Sequence, residues 1–155
     1  MKKTWAEKLA DDKDLPRVCD VRPGQGISAD AGRMVIPAPR EVDALMKQVP
    51  RGRVTTINEL RTALARQHGA DFACPLTTGI FSWIAAHAAA EAAAAGRKRF
   101  TPYWRTLKSG GEINPKYPGG ATDVASRLAA EGHRIIAKGK RRLVAGFDKK
   151  LFAGF

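Results

Sequence analysis

The stretch that decides the fold is residues 77–96, which read TTGIFSWIAAHAAAEAAAAG. Its apolar residues recur at helical spacing and Gly96 follows as a stop, so the pattern predicts one long helix that ends at Ala95. One face of this helix carries only small side chains, namely Thr78, Ser82, Ala85, Ala89 and Ala93. Such a face lets the backbone approach either a second helix or a nucleic-acid groove, and the pattern leaves both open. A second stripe is predicted to face the core and consists of Ile80, Phe81, Ile84 and Ala88. Trp83 and His87 are interpreted as core or rim residues.

Two shorter helices are predicted before the long one. Residues 41–48 carry their apolar side chains on one stripe, which indicates an amphipathic helix. Thr56-Ile57-Asn58-Glu59 has the spacing of a capping box and opens a helix that ends near Gln67. Because a short connection joins this helix to the long one, the pair is typical of a helix-turn-helix.

The C-terminal part of the chain has the pattern of a helix followed by a β-hairpin, which is the wing of a winged helix. Residues 123–130 predict a short helix, and residues 133–137 and 141–145 predict a β-hairpin around Lys138-Gly139-Lys140. The expected fold class is therefore mainly α with a small β-hairpin, a winged helix-turn-helix over residues 37–155. Residues 1–36 are expected to form an N-terminal arm, with a short helix after Thr4 and irregular chain over residues 13–33.

The charge of the chain is strongly positive and unevenly distributed. The chain of 155 residues has a formal net charge of +12. Residues 97–155 hold 14 Lys and Arg against 4 Asp and Glu, whereas residues 1–96 are nearly balanced. Such asymmetry favours a polyanionic partner, because each phosphate contact releases counterions from a nucleic acid.

Other classes of protein are disfavoured by what the sequence lacks. No apolar run approaches the length of a membrane span, and the first residues do not have the pattern of a secretory signal. Two cysteines, Cys19 and Cys74, do not make a disulfide framework, so a cytoplasmic location is expected. No metal site and no cofactor are predicted, because paired Cys and His spacing and a glycine-rich phosphate loop are both missing.

Three segments together resemble one family. These are Val49-Pro50-Arg51-Gly52-Arg53-Val54-Thr55-Thr56, then Pro102-Tyr103-Trp104-Arg105, and the segment from Tyr117-Pro118-Gly119-Gly120 through Ala130-Glu131-Gly132-His133-Arg134. In order and spacing they resemble the DNA-binding, active-site domain of the alkylguanine–DNA alkyltransferases, also called methylated-DNA–protein-cysteine methyltransferases. The resemblance covers roughly residues 37–136. The chain's size is similar to that of the alkyltransferase-like proteins, which lack the acceptor cysteine.

The resemblance implies that the acceptor chemistry is missing. In the enzymes a Pro-Cys-His-Arg motif supplies the thiolate that takes an alkyl group from a flipped guanine. Tyr103 stands at the position of that cysteine and Trp104 at the position of the activating histidine, while Glu131 matches the glutamate that orients it. A phenol is scarcely ionised at neutral pH, so Tyr103 is a poor replacement nucleophile. No catalytic residue is therefore expected.

The resemblance also implies a DNA-contacting surface and a pocket for a base. Leu76 stands where the family has an arginine finger, so an apolar wedge would serve instead. The expected DNA contacts are Leu76, Thr77, Thr78, Ser82, Arg97, Arg105 and Lys108. The expected base pocket is lined by Pro102, Tyr103, Trp104, Tyr117, Pro118 and Gly119, and Trp104 is equally well interpreted as a core residue.

Three functional hypotheses follow from the sequence. The first is a monomeric, non-catalytic protein that binds double-stranded DNA through the minor groove and flags alkylated guanine for other repair proteins. The second is an enzyme that accepts alkyl groups on Cys74, which comes just before the long helix, because a helix N-terminus favours a thiolate. The third is a winged-helix module that binds RNA or another protein.

Overall fold

The computed structural model describes residues 2–26 and 30–155. Five α-helices lie in these parts of the chain: α1 (Trp5–Ala10), α2 (Pro39–Met46), α3 (Ile57–His68), α4 (Pro75–Ala94) and α5 (Gly120–Ala130). Seven short strands accompany them: β1 (Arg17–Val21), β2 (Gly32–Ile36), β3 (Thr55–Thr56), β4 (Phe72–Ala73), β5 (Thr106–Leu107), β6 (Ile135–Lys138) and β7 (Arg141–Val144). The fold is therefore mixed α/β, with more strand than the sequence predicts.

The helices begin where capping groups are available. Thr4 and Glu7 form a complete capping box at α1, and the Thr56 hydroxyl accepts from the main-chain N–H of Glu59 at α3. Pro75 occupies the first turn of α4, where its missing N–H is not needed, so α4 begins two residues before the predicted Thr77.

The prediction of irregular chain over residues 13–33 is wrong at residues 17–21 and 32–33, which form β1 and the start of β2. β1 pairs antiparallel with β2, and β2 pairs in parallel with β4, so a three-stranded sheet forms in the order β1-β2-β4. β2 also continues the chain directly into α2, which joins the first 36 residues to the rest of the fold. Residues 27–29 of this segment lie outside the described residues.

The small-residue face of α4 packs inside the protein. Thr78, Ser82, Ala85 and Ala89 are all buried, and α2 is the element that α4 contacts most. The Thr78 hydroxyl donates to the carbonyl oxygen of Cys74, and the Ser82 hydroxyl donates to that of Gly79. Of the two surfaces that the sequence leaves open for this face, a second helix of the same chain is the one that it meets.

The predicted hairpin is confirmed as β6 and β7, which pair from Ile135–Val144 to Lys138–Arg141. The loop after β5 lies against β7, because the main-chain N–H of Ile113 donates to the carbonyl oxygen of Arg142 at 2.8 Å. On the other side, α1 is held on α4 by the Glu91 carboxylate, which accepts from the main-chain N–H groups of Trp5 and Ala6. None of the helices in the described parts of the chain is both long and apolar enough to cross a membrane.

Candidate nucleic-acid interface

The outer face of α4 exposes two large aliphatic side chains. Leu76 is 57% exposed and Ile80 is 41% exposed, and they lie one turn apart near the start of the helix. Gly79 lies between them, and a Cβ built on it would meet open space. Exposed side chains of this size, side by side, are typical of a surface that meets a partner.

A groove of about 500 Å³ runs along this face of α4. The loop of residues 108–116 forms its opposite wall, with Asn114, Pro115 and the two lysines Lys108 and Lys116. Its floor is mostly apolar, and its helix side consists of Pro75, Leu76, Gly79, Ile80 and Trp83. The groove thus combines an apolar centre with cations at its edge, and we call it the α4 groove.

The loop that forms the wall of the α4 groove is held to the helix by two hydrogen bonds to one carbonyl oxygen. The indole Nε1–H of Trp83 and the Nε2–H of His87 both donate to the carbonyl oxygen of Lys116, each at 3.2 Å. Trp5 of α1 stacks on His87, with ring centroids 4.5 Å apart, and meets Trp83 edge to face. These rings hold the loop that carries Lys116 at a fixed distance from Ile80.

The basic hairpin adjoins the same loop. Arg141 donates to the Glu112 carboxylate at 3.0 Å, and Glu112 also pairs in a bridge with Leu143 of β7. The hairpin exposes Lys138 and Lys140 at its turn. Cations therefore continue from the edge of the α4 groove to the tip of the hairpin, which favours an extended polyanion.

Two of the expected DNA contacts are not available at the surface. Thr78 and Ser82 are fully buried, and their hydroxyls bond within the protein. These positions contradict a direct contact with DNA, because both side chains are directed into the protein. Thr77 is half-buried, and its hydroxyl oxygen is buried without a hydrogen-bond partner in the described chain.

The Arg105 side chain is also held by hydrogen bonds within the protein. Its Nε and Nη2 groups donate to the two carboxylate oxygens of Glu131 at 2.9 and 2.8 Å, and its Nη1 donates to the carbonyl oxygen of Val49. Because all three nitrogens already have acceptors, the predicted contact with a phosphate would require Arg105 to leave Glu131 or Val49. Arg97 is exposed, but it follows the C-terminal end of α4, whereas Leu76 lies in the first turn of this 20-residue helix.

The residues expected to form a base pocket are packed against one another. Tyr103 lies edge to face with Trp104 and with Tyr117, at centroid distances of 5.3 and 6.0 Å. All three side chains are buried, and the Tyr117 hydroxyl donates to the Ser82 hydroxyl at 3.2 Å. The guanidinium of Arg127 covers Trp104 at 4.7 Å. The aromatic cluster is thus filled by its own side chains.

The other residues of the expected pocket border this cluster. Pro102 immediately precedes the 3₁₀ turn of residues 103–105, and Pro118 is half-buried after Tyr117. Gly119 precedes α5 with φ = +82°, and a Cβ there would lie 2.5 Å from the Cβ of Asp123, so only glycine fits.

Glu131 joins the three sequence segments of the family resemblance. Besides Arg105, the indole Nε1–H of Trp104 donates to its carboxylate at 3.0 Å, and the main chain of Gly52 also bonds to it. Burial by itself would raise the pKa of Glu131, but the hydrogen bonds from Arg105 and Trp104 outweigh it and keep the pKa below its usual value. Glu131 is therefore a buried carboxylate that holds Trp104 in place.

The candidate nucleophiles lie in unfavourable surroundings. Burial raises the pKa of Tyr103, with Asp123 acting in the same direction and Arg127 opposing. A phenol with a raised pKa is a still weaker nucleophile at neutral pH. Cys74 is 6% exposed and precedes α4.

Ile80, Trp83, Asn114 and Lys116 belong to the α4 groove, and sequence reasoning did not assign them to DNA. Ile80 was assigned to the buried stripe because it recurs with Phe81 and Ile84. The exposure of both Leu76 and Ile80, four residues apart, is the signal that could have found this face.

Comparison with known proteins relates the chain to solved structures by fold. No family model matches the chain, and no curated protein matches it. The structure of S. pombe Atl1 in complex with damaged DNA containing O6-carboxymethylguanine is similar, with a TM-score of 0.51 and 18% identity. A structure of S. pombe ATL in complex with DNA gives 0.53 and 19%. Each match covers 74% of this chain and 93% of the other. At this identity the likeness concerns the fold.

Proposed function

We propose that this protein binds duplex DNA, without catalysis, through the α4 groove. The observation that carries the proposal is the pair of exposed aliphatic side chains, Leu76 and Ile80, in a groove that Lys108 and Lys116 of the facing loop also line. Lys108, Lys116 and the hairpin cations would contact phosphates, and the apolar pair would contact sugars and base edges. The S. pombe proteins of similar fold are in complex with DNA, which supports this assignment.

The minor groove is the proposed side of the duplex. Apolar side chains that enter the minor groove wedge between base steps and bend the duplex. Leu76, at the start of α4, has the exposure that such a wedge requires. Because Gly79 has no side chain, the backbone of α4 next to Leu76 can approach the floor of a narrow groove.

Recognition of alkylated guanine is not part of this proposal. It requires space for an extruded base, and Tyr103, Trp104 and Tyr117 occupy the expected pocket. A base would enter only after Tyr117 leaves Ser82. We therefore expect equal affinity for duplexes that contain guanine or O6-methylguanine at one site. A preference of about tenfold for the alkylated duplex would support damage recognition instead.

The test is a pair of substitutions that add one negative charge at two exposed helix positions. Ile80→Glu places a carboxylate in the α4 groove, and we expect it to weaken duplex binding by at least about tenfold. Asn58→Glu is the matched control, because Asn58 is exposed on α3 and does not line the groove. Fluorescence anisotropy with a labelled duplex measures both.

Equal affinity of the two variants would contradict the assignment of the α4 groove. The same assay with single-stranded DNA and with duplex RNA separates this function from the RNA-binding alternative. Tighter binding of RNA than of duplex DNA would favour that alternative.

A further inference from the structure

A second groove lies on the other side of α4. It is enclosed by α1, α2, α4 and residues 97–101, and its volume is about 410 Å³. Ala85, Ala88 and Ala92 form its α4 side. Because an α-helix turns by about 100° per residue, these alanines point roughly opposite to Ile80 and Trp83. This alanine groove therefore stays accessible when the α4 groove is occupied.

The alanine groove has an apolar interior. Leu9 of α1 and Phe100 are half-buried in its walls, and Ala44 of α2 is exposed beside them. Small side chains keep it open, since Leu or Phe at the alanine positions would fill it. Its volume lies near the lower end of the range for ligand-binding pockets, roughly 300–1,000 Å³.

The rim of the alanine groove is cationic. Arg40, Lys47, Arg97 and Arg99 line it, with Asp43 as the one acidic residue among the described residues of its lining. Asp43 is buried, accepts from the Thr101 hydroxyl at 2.6 Å and pairs with Lys47. Arg40 pairs with Asp12. Arg97 and Arg99 are exposed and form no ion pair within the described chain, so the rim carries uncompensated positive charge.

We propose that the alanine groove docks an acidic amphipathic helix of another protein. An aliphatic side chain of that helix would enter the apolar interior, and its carboxylates would pair with Arg97 and Arg99. A nucleic acid would satisfy the arginines but leave the apolar interior unused, which favours a protein partner. The opposite orientation of the two grooves would let one molecule hold DNA and this partner together.

The test measures binding of a fluorescent helical peptide to the whole chain. The peptide consists of Glu, Leu and Ala, with leucines at i, i+4 and i+7. We expect binding of this peptide and none of its counterpart with Lys in place of Glu. Ala44→Leu, which fills the groove from an exposed position, is expected to weaken peptide binding by about tenfold, as is Arg99→Glu. The matched controls are Ala129→Leu on α5 and Lys98→Glu, both at exposed positions outside the lining.

Four results would overturn the proposal. The first is that the Glu peptide does not bind, and the second is that the Lys peptide binds equally well. The third is that Arg99→Glu and Lys98→Glu weaken peptide binding to the same extent. The fourth is that Ala44→Leu weakens binding of duplex DNA. The last result would reassign the alanine groove to nucleic acid. Retained duplex binding in Ala44→Leu also demonstrates that this variant folds, so a loss of peptide binding then reports on the groove.

Discussion

Arg105 and Glu131 form a two-bond ion pair inside the protein, with N–O distances of 2.9 and 2.8 Å and only 4% of the Glu131 side chain exposed. Trp104 donates to the same carboxylate. In the enzymes that the sequence resembles, the residue at the position of Trp104 activates a cysteine, and the residue at the position of Glu131 orients that activating residue. Here they form a structural clamp between α5, the 3₁₀ turn after Pro102 and the segment that precedes α3.

Removing the charge of Glu131 is expected to destabilise the fold. Glu131→Gln leaves the Arg105 guanidinium buried without a charged partner, and breaking a buried pair in this way costs about 3 kcal/mol. Urea unfolding at neutral pH measures the loss. The control is Arg141→Gln, which breaks an exposed pair with Glu112 and is expected to change the free energy of unfolding by less than about 1 kcal/mol. Equal effects of the two substitutions would contradict the clamp.

The contribution of Glu131 is also expected to depend on pH. Its pKa in the folded state is lowered, so its stabilisation is present above the pKa of the unfolded chain and is lost as the pH falls through the folded pKa. The difference in urea midpoint between wild type and Glu131→Gln should therefore be large at pH 7 and shrink below about pH 4. A difference that stays constant with pH would argue against an ionised Glu131.

Both tyrosines are expected to ionise at a higher pH than an unperturbed phenol. Burial raises the pKa of Tyr117 to about 12, with the Ser82 contact opposing, and burial also raises that of Tyr103. Because a raised folded pKa favours the neutral phenol, stability is full below about pH 10 and falls as the pH rises toward 12. The chain has no other tyrosines, so absorbance near 295 nm follows only these two. Titration of either near pH 10 in the folded protein would contradict a closed cluster.

No alkyl transfer is expected from the proposed function. Incubation with a duplex that contains O6-methylguanine should leave the intact mass of the protein unchanged, because burial raises the pKa of Tyr103 and Cys74 is buried. A stoichiometric gain of one methyl group that disappears in Cys74→Ala would instead establish the enzyme hypothesis.

The helices and the hairpin could be predicted because their signals are local. The caps of α1 and α3 each involve residues three apart, namely Thr4 with Glu7 and Thr56 with Glu59. The apolar residues of α2 and α3 recur at helical spacing within each segment. The sheet β1-β2-β4 could not be predicted in this way. β4 is only two residues long, which is too short to show an alternation of apolar and polar residues. Its partner β2 also lies far away along the chain.

The site was harder to predict than the fold, since helical periodicity gives two candidate faces of α4 without saying which one is inside. Thr78 and Ser82 were assigned to DNA and are buried, whereas Ile80 was assigned to the core and is exposed. Both errors have the same cause, because the predicted orientation of α4 is rotated about the helix axis relative to the one in the structure. The bidentate use of Arg105 depends on Glu131, 26 residues away, and such a pairing is visible only in three dimensions.

Lys116 should account for part of the salt dependence of DNA binding. If its ammonium group contacts a phosphate from the edge of the α4 groove, Lys116→Ala should reduce the slope of log K against log salt by about 0.9. Arg66→Ala, which removes a positive charge from an exposed position on α3, should leave the slope unchanged. Equal slopes for Lys116→Ala and wild type would remove Lys116 from the interface.

The central claim is most directly tested by the affinity for an undamaged duplex over a range of salt concentrations. We predict tight binding at low salt and a linear fall of log K with log salt, with a slope of roughly −0.9 for each phosphate contacted and several phosphates in all. A slope near zero, or no binding at low salt, would contradict the account.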